Sequence, residues 1–124
     1  MRGPETELNP STRKVLVIDD DGAIRNLLRM VLEVEGHEVV EAETGSEGLV
    51  VAQRHQPDVV IVDYMMPGTD GETTGRQLRR IVPDATLIAF SAFLINKPYW
   101  ADLYLAKTQV NDLPELVLRD RAAH

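Results

Sequence analysis

The sequence predicts an α/β domain in which helices cover both faces of a parallel β-sheet. Strand-like and helix-like segments alternate about five times, as they do when helices connect neighbouring parallel strands. Residues 59–62 are all β-branched and apolar, which is typical of a strand buried on both faces. The 124 residues suit one domain. We expect it to span 14–120, after a flexible leader at 1–13 and before a tail at 121–124.

The first half of the chain predicts three strands separated by two helices. The strands are 14–18, 38–41 and 59–63, each rich in apolar β-branched residues. The first helix follows Asp21, whose short carboxylate can accept hydrogen bonds from free backbone N–H groups, and it ends at Gly36. The second helix spans 44–55 and ends before Pro57.

The second half predicts two further strands and two helices. The strands are 85–90 and 103–106, and the helices are 72–82 and 112–119. Pro83 stops the first of these helices, whereas Pro114 lies in the first turn of the last one, where proline is tolerated. Between the two strands, Asn96-Lys97-Pro98 interrupts the pattern, so a helix there should be absent or shortened to about one turn.

Composition excludes several classes of function. The net charge is −7 and no run of lysine and arginine occurs, which argues against direct nucleic-acid binding. No apolar run is long enough to span a membrane, and no signal peptide opens the chain. The chain has no cysteine, which excludes disulfides and thiolate metal sites and fits the reducing cytoplasm, where we expect the protein.

Polar residues follow four of the five predicted strands. They are Asp19 and Asp20, Asp63, Ser91, and Lys107. A single aspartate after a strand is more often a turn residue or a helix cap than a functional group. However, the carboxyl ends of parallel strands meet at one edge, where open α/β sheets place their ligand sites. We therefore expect the five side chains to form one site.

Clustered carboxylates at this edge require compensating positive charge. Two carboxylates about 4 Å apart repel by ~4 kcal/mol at an effective dielectric constant near 20. A divalent cation and an ammonium group would relieve that repulsion, and oxygen ligands suit Mg²⁺ or Mn²⁺. With the cation bound, Asp63 is a candidate nucleophile toward phosphorus. Ser91 and Lys107 could then hold the phosphoryl oxygens.

These motifs together resemble the receiver domain of two-component response regulators. The resemblance covers Lys14 to about Arg119. It rests on Asp19-Asp20-Asp21, on Asp63-Tyr-Met-Met-Pro67 and the glycines beyond it, on Ser91-Ala92, and on Asp102-Leu-Tyr104-Leu-Ala-Lys107. It implies a flavodoxin-like, doubly wound sheet of five parallel strands in the order 2-1-3-4-5.

The resemblance also implies a role for each site residue. Asp63 matches the aspartate that takes a phosphoryl group from a histidine kinase or a histidine phosphotransfer protein. Ser91 matches the switch hydroxyl, Lys107 the phosphate-binding lysine and Tyr104 the aromatic switch residue. The implied metal ligands are Asp19, Asp20, Asp63 and the backbone carbonyl of Met65. In the family, the residue at the position of Asp19 often contacts the metal through a water molecule.

Three features depart from the family's usual pattern, and one of them is the apolar side chain of Met65, two residues after Asp63. The segment between the fourth and fifth strands is too short for the usual helix, and Thr108 follows Lys107 where the family normally has proline. Lys97-Pro98 would restore the Lys-Pro pair, but no strand precedes it, so we favour Lys107. The short segment is also unusually apolar at Phe93, Leu94, Ile95, Tyr99 and Trp100. These residues either fill the space of the missing helix or form an exposed docking or homodimer patch.

The leading interpretation is a phosphoacceptor receiver that is not otherwise an enzyme and that signals through an unknown output protein. An alternative is a receiver fold that acts as a protein-interaction module without phosphorylation, which the unusual connection favours. A third is a Mg²⁺-dependent phosphohydrolase with an aspartyl-phosphate intermediate. Such enzymes need an acid two residues after the nucleophile, where this chain has Met65, and no cap domain for a substrate is apparent.

Met65 predicts a slow loss of the phosphoryl group, because its side chain cannot orient an attacking water by hydrogen bonding. We expect the substitution Met65→Asn to accelerate dephosphorylation of the purified phosphoprotein. The measurement is the decay of the phosphorylated mass after the phosphodonor is removed. An unchanged decay rate would contradict this explanation.

Overall fold

The computed structural model describes residues 12–64, 71–92 and 96–119, and within them it has the predicted α/β architecture. The strands are β1 Lys14–Ile18, β2 Glu38–Ala42, β3 Val59–Asp63, β4 Thr86–Ser91 and β5 Leu103–Ala106. The helices are α1 Gly22–Val34, α2 Gly45–His55, α3 Gly71–Ile81, a 3₁₀ helix at Lys107–Asp112 and α4 Leu113–Leu116. The strands pair in the order β2-β1-β3-β4-β5, all parallel, which confirms the expected flavodoxin-like topology.

The sheet separates two hydrophobic cores. Successive residues of each central strand point to opposite faces, and both faces are covered by helices. One core joins Leu16, Val60 and Leu87 to α2 and α3, and the other joins Val15, Ile61 and Ile88 to α1 and α4. This double burial explains why 59–62 shows no alternation of polar and apolar residues. None of the helices in the described part of the chain is long and apolar enough to cross a membrane.

The predicted final helix is wrong in its extent. Instead of one helix over 112–119, the chain forms the 3₁₀ helix at Lys107–Asp112 and then the single turn α4 at Leu113–Leu116. Residues 108–112 are Thr, Gln, Val, Asn and Asp, and four of these five types have low helix propensity, which favours the short, tight form here. Of the predicted leader, Arg13 is held by its backbone N–H, which donates to His37 Nδ1 at 3.0 Å. Residues 1–11 and 121–124 lie outside the described residues.

The connection between β4 and β5 contains no helix at its described residues, 92 and 96–102. Trp100 fills space beside α3 and is only 3% exposed. Its indole ring stacks on Tyr64, with 6.3 Å between ring centroids, and its Nε1 donates to Glu72 Oε1 at 3.1 Å. On α3 the ring rests against Gly75, where a Cβ would overlap the indole. Trp100 therefore packs into the core beside α3, which agrees with the interpretation that the apolar segment fills space.

A guanidinium group fastens the same connection to α3 and β4. Arg79 donates to the carbonyls of Ala85 at 3.0 Å and Trp100 at 2.6 Å, and to Asp102 Oδ2 at 2.9 Å. The same oxygen of Asp102 accepts the backbone N–H of Leu87 at 2.9 Å. The Arg79–Asp102 pair thus joins this connection to both α3 and β4.

Tyr99 differs from its neighbour because 75% of its surface is exposed. Phe93, Leu94 and Ile95, which complete the predicted apolar patch, lie outside the described residues. The docking or homodimer interpretation of that patch stays a prediction.

The contact between Gly75 and Trp100 predicts an unusual response to alanine. Gly75→Ala should gain about 1 kcal/mol of helix propensity. We expect overpacking against the indole to outweigh this gain, for a net loss of about 1–2 kcal/mol in the free energy of unfolding. In a Trp100→Leu background the same change should be neutral or stabilising. Urea unfolding of the wild type, the two single variants and the double variant checks this cycle, and equal effects of Gly75→Ala in both backgrounds would contradict it.

Candidate acidic site

The sheet brings the predicted site residues to one edge. In the strand register Ile18 pairs with Val62, so Asp19 and Asp63 each follow a paired residue on adjacent strands. Asp63 in turn pairs with Phe90, the residue before Ser91. This register brings the carboxyl ends of β1, β3 and β4 level with one another, so the residues at these ends lie at the same edge.

Three carboxylates meet at this edge. One oxygen from each of Asp19, Asp20 and Asp63 lies within 4.8 Å of the others. Asp19 and Asp63 are buried, whereas Asp20 is exposed. The backbone N–H of Asp21 donates to Asp19 Oδ1 at 2.9 Å, and the Asp21 carboxylate accepts from Ala23 N at 2.9 Å to cap α1, as the sequence predicted.

Lys107 provides an ammonium group to this cluster. Its Nζ lies 3.1 Å from Asp19 Oδ2 and 3.3 Å from Asp63 Oδ2, and 5.5 Å from the centre of the Phe90 ring. Lys97, the alternative considered from the sequence, donates to the carbonyl of Ala101 at 2.7 Å. The structure therefore places Lys107 at the acidic cluster and shows a local partner for Lys97.

The site perturbs the protonation of its own groups. Burial raises the pKa of Asp19, and the negative charge of Asp63 raises it further, against the lowering effects of the Asp21 N–H and Lys107. Burial alone would lower the pKa of Lys107, but its close ion-pair contact with Asp19 and the charge of Asp63 outweigh burial and raise it. The ammonium is therefore held in its charged form between the two carboxylates.

The donor set fits a divalent cation. Three carboxylates and one ammonium leave a net charge of −2 when all four groups are ionised. The buried Asp19 Oδ2 has Lys107 Nζ as an ion-pair partner but no hydrogen bond with suitable geometry. An oxygen with available lone pairs, beside two further carboxylates, is what a hard cation such as Mg²⁺ binds.

The other predicted site residues occupy different positions. Ser91 is completely buried as the last residue of β4, where the sequence predicted it to follow the strand. Tyr104 is half-buried in β5, beside Ala89, and packs against the same core as Trp100. Met65 lies outside the described residues, so the expected backbone ligand has no structural description.

The turn after β5 forms without proline. Lys107 begins the 3₁₀ helix, and the side chain of Gln109 reaches back so that its Oε1 accepts the Ala106 N–H at 3.2 Å. No cis peptide bond occurs in the described residues. The Gln109 contact thus fixes the turn in which the family would have a Lys-Pro pair.

Sequence reasoning missed two side chains that support the cluster from β2 and α1. Arg25 donates through Nη1 to the carbonyl of Asp19 at 2.7 Å and through Nε to Glu41 Oε1 at 2.9 Å. The available signal was Glu41, a charged residue near the carboxyl end of the second predicted strand. By its pattern alone, Glu41 belongs to the strand at 38–41 and not to the site.

Comparison with known proteins identifies relatives of this arrangement. The family model described as "Response regulator receiver domain" matches residues 15–107. The transcriptional regulatory protein PdtaR of Mycobacterium tuberculosis is 40% identical over 95 residues, which cover 73% of this chain and 46% of PdtaR. ResD of Bacillus subtilis is 47% identical over 66 residues, covering 53% of this chain and 28% of ResD. The chain thus spans less than half the length of these curated relatives.

Solved structures match the fold more completely. The response regulator TrrA of Thermotoga maritima, in complex with Mg²⁺-BeF, has a TM-score of 0.77 and 34% identity, covering 85% of this chain and 96% of that one. A chain from the structure of the histidine kinase ThkA in complex with TrrA has a TM-score of 0.74 and 30% identity. That match covers 86% of this chain and 99% of the other.

Removal of the central ammonium should destabilise the protein in a pH-dependent way. Lys107→Met leaves the Asp19 and Asp63 carboxylates without a cation, and we expect a loss of about 2 kcal/mol at pH 7.5. The loss should shrink toward pH 5, because protonation of Asp19, whose pKa is already raised, relieves the repulsion. Urea unfolding at both pH values measures it. Lys97→Met is the matched control and should show little pH dependence; equal behaviour of the two variants would contradict the prediction.

Proposed function

The chain belongs to the response regulator receiver domain family, and we propose that its Asp63 accepts a phosphoryl group from a phosphohistidine. One observation carries the proposal. Lys107 Nζ lies within 3.3 Å of both Asp19 and Asp63, at the edge where three carboxylate oxygens converge. This arrangement combines a nucleophile, an ammonium for the incoming oxygens and oxygen ligands for a divalent cation.

In the proposed reaction a carboxylate oxygen of Asp63 attacks phosphorus. The new O–P bond forms an acyl phosphate, the P–N bond to the donor histidine breaks, and the imidazole leaves with the electron pair of that bond. Lys107 turns from the Asp63 oxygen to a phosphoryl oxygen, and the Ser91 hydroxyl donates a hydrogen bond to another. Asp19, Asp20 and Asp63 would hold Mg²⁺ or Mn²⁺, which supplies positive charge to the transferring phosphoryl oxygens. Later attack by water on phosphorus breaks the O–P bond, which releases inorganic phosphate and returns the free Asp63 carboxylate.

The switch that follows is proposed to run through Ser91 and Tyr104. Contacts of Ser91 with the phosphoryl group exist only in the phosphorylated state, so they bias the protein toward a second conformation. Tyr104 lies on β5 next to β4 and is half-buried, so a change in β4 can alter its packing.

We propose a histidine kinase or a histidine phosphotransfer protein as the phosphodonor. The solved complex of TrrA with the kinase ThkA supports this class of partner. Such a donor in the cytoplasm would place this domain there as well. The chain spans less than half the length of these curated relatives, and we propose that its signal passes to a separate output protein or to an attached domain.

The alternative of an interaction module without phosphorylation rests on the β4–β5 connection. That segment lacks a helix at its described residues and is fixed by Trp100 and Arg79 instead. The phosphohydrolase alternative has no comparable structural support and predicts repeated turnover of phosphoesters.

The proposed function is tested by intact-mass analysis after incubation with Mg²⁺ and acetyl phosphate. We expect one phosphoryl adduct that Asp63→Asn abolishes and that removal of Mg²⁺ prevents. Asp84→Asn is the matched control, because it changes the same charge in the exposed turn before β4, and it should retain the adduct. A beryllofluoride complex of the wild type, followed by NMR, gives an independent measurement. Absence of both adduct and Mg²⁺ effect would favour the interaction module, and continuous phosphoester turnover the phosphohydrolase.

A further inference from the structure

Arg25 connects the acidic cluster to the neighbouring strand β2. Its Nη1 donates to the backbone carbonyl of Asp19 at 2.7 Å, while its Nε donates to Glu41 Oε1 at 2.9 Å. The side chain of Arg25 is only 19% exposed. A guanidinium group is rigid and planar, so these two contacts on different nitrogens fix its orientation.

The carbonyl that Arg25 contacts belongs to the peptide bond between Asp19 and Asp20. Because a peptide group is planar, fixing its oxygen also fixes the direction in which the chain enters Asp20. The Asp19 side of this peptide is held independently, since Asp19 N donates to the Ala42 carbonyl at 3.1 Å. Asp20 is exposed, so its carboxylate depends on the backbone for its position beside Asp63.

Glu41 holds Arg25 in place and is itself strongly anchored. Burial alone would raise the pKa of Glu41, but hydrogen bonds from Arg29 and Arg25 outweigh burial and lower it. Glu41 is therefore held in its ionised form. Arg29 Nε contacts the other oxygen, Glu41 Oε2, at 2.6 Å, and Arg29 Nη1 contacts Glu33 Oε2 at 2.8 Å.

Arg29 provides an internal comparison for Arg25. Both arginines lie on α1 and both neutralise Glu41, so both should contribute to the stability of the α1–β2 packing. Only Arg25 reaches the Asp19 carbonyl in the described contacts. If Arg25 only stabilises the fold, substitution of Arg25 and of Arg29 should change Mg²⁺ affinity to a similar extent. If Arg25 also positions the metal ligands, its substitution should weaken Mg²⁺ binding more than substitution of Arg29.

We propose that Arg25 is a positioning residue for the divalent cation. It holds the Asp19–Asp20 peptide so that both carboxylates face Asp63 before the cation binds. The inference rests on the proposed function, since it concerns the Mg²⁺ that phosphorylation of Asp63 would use. Substitution of a side chain that orients metal ligands from outside the coordination sphere typically lowers metal affinity by about 10- to 100-fold.

The experiment measures the Mg²⁺ dissociation constant of the unphosphorylated chain by NMR titration with Mg²⁺ alone. Arg25→Gln should raise the dissociation constant about tenfold, and Arg29→Gln should leave it within about twofold of wild type. The Mg²⁺ concentration needed for half-maximal phosphorylation by acetyl phosphate should rise in parallel, and excess Mg²⁺ should restore most of the rate. Urea unfolding of both variants tests whether their losses of stability are similar.

Several outcomes would overturn the inference. These are equal Mg²⁺ affinity in Arg25→Gln and Arg29→Gln, or a loss of phosphorylation rate that excess Mg²⁺ does not restore. If Arg25→Gln fails to fold, Arg25→Lys replaces it: lysine retains the charge but cannot reproduce both directed contacts, so the dissociation constant should still rise, by a smaller factor. A wild-type chain that neither binds Mg²⁺ nor accepts a phosphoryl group would instead overturn the proposed function, and this inference with it.

Discussion

The structure depends on the meeting of three carboxylates with one ammonium group at the edge of the sheet. Asp19 and Asp63 are buried there and share Lys107, an arrangement whose electrostatic cost the rest of the fold must bear. Asp19 and Asp63 lie at the ends of the adjacent strands β1 and β3, and Lys107 follows β5. No local segment of the chain could therefore assemble the cluster. The parallel sheet therefore brings these charged groups together, and the packing of its apolar strands holds them in place.

Around this edge the chain uses packing and directed contacts in place of the family's usual elements. Trp100 rests on Gly75 where a Cβ would not fit, and Arg79 ties the same segment to α3 and β4. After β5, the Gln109 side chain fixes the turn in which the family has proline. The contacts of Trp100 and Arg79 lie before β5 and the contact of Gln109 lies after it, so they flank the strand that precedes Lys107.

The sequence predicted those parts of the molecule that follow from strand pattern and from strand ends. The bounds of β1, β3 and β5 follow from the runs of apolar residues. The convergence of Asp19, Asp63 and Lys107 follows from the rule that parallel strands end at one edge. Trp100 remained ambiguous because its fit against Gly75 joins residues distant in sequence. The last helix was predicted too long because Asp112 and Pro114 indicate where it begins, whereas no glycine or proline in 115–119 indicates that it ends at Leu116.

The contact of Arg25 with Glu41 was beyond sequence reasoning for a related reason. It exists only because β2 lies beside β1, and that strand order came from the family resemblance and not from any pattern in the residues. A charged residue near a strand end acquires a role in the site only when its spatial neighbours are known. Supporting residues of this kind are therefore harder to identify than the residues they support.

The stacking of Trp100 on Tyr64 also has a practical consequence. Trp100 is the single tryptophan of the chain, and Tyr64 is covalently joined to Asp63. Indole fluorescence responds to the packing and polarity around the ring, so a rearrangement of the peptide after Asp63 would change the emission of the unlabelled protein. The intrinsic fluorescence of Trp100 thus reports on structural changes next to Asp63 without an added label.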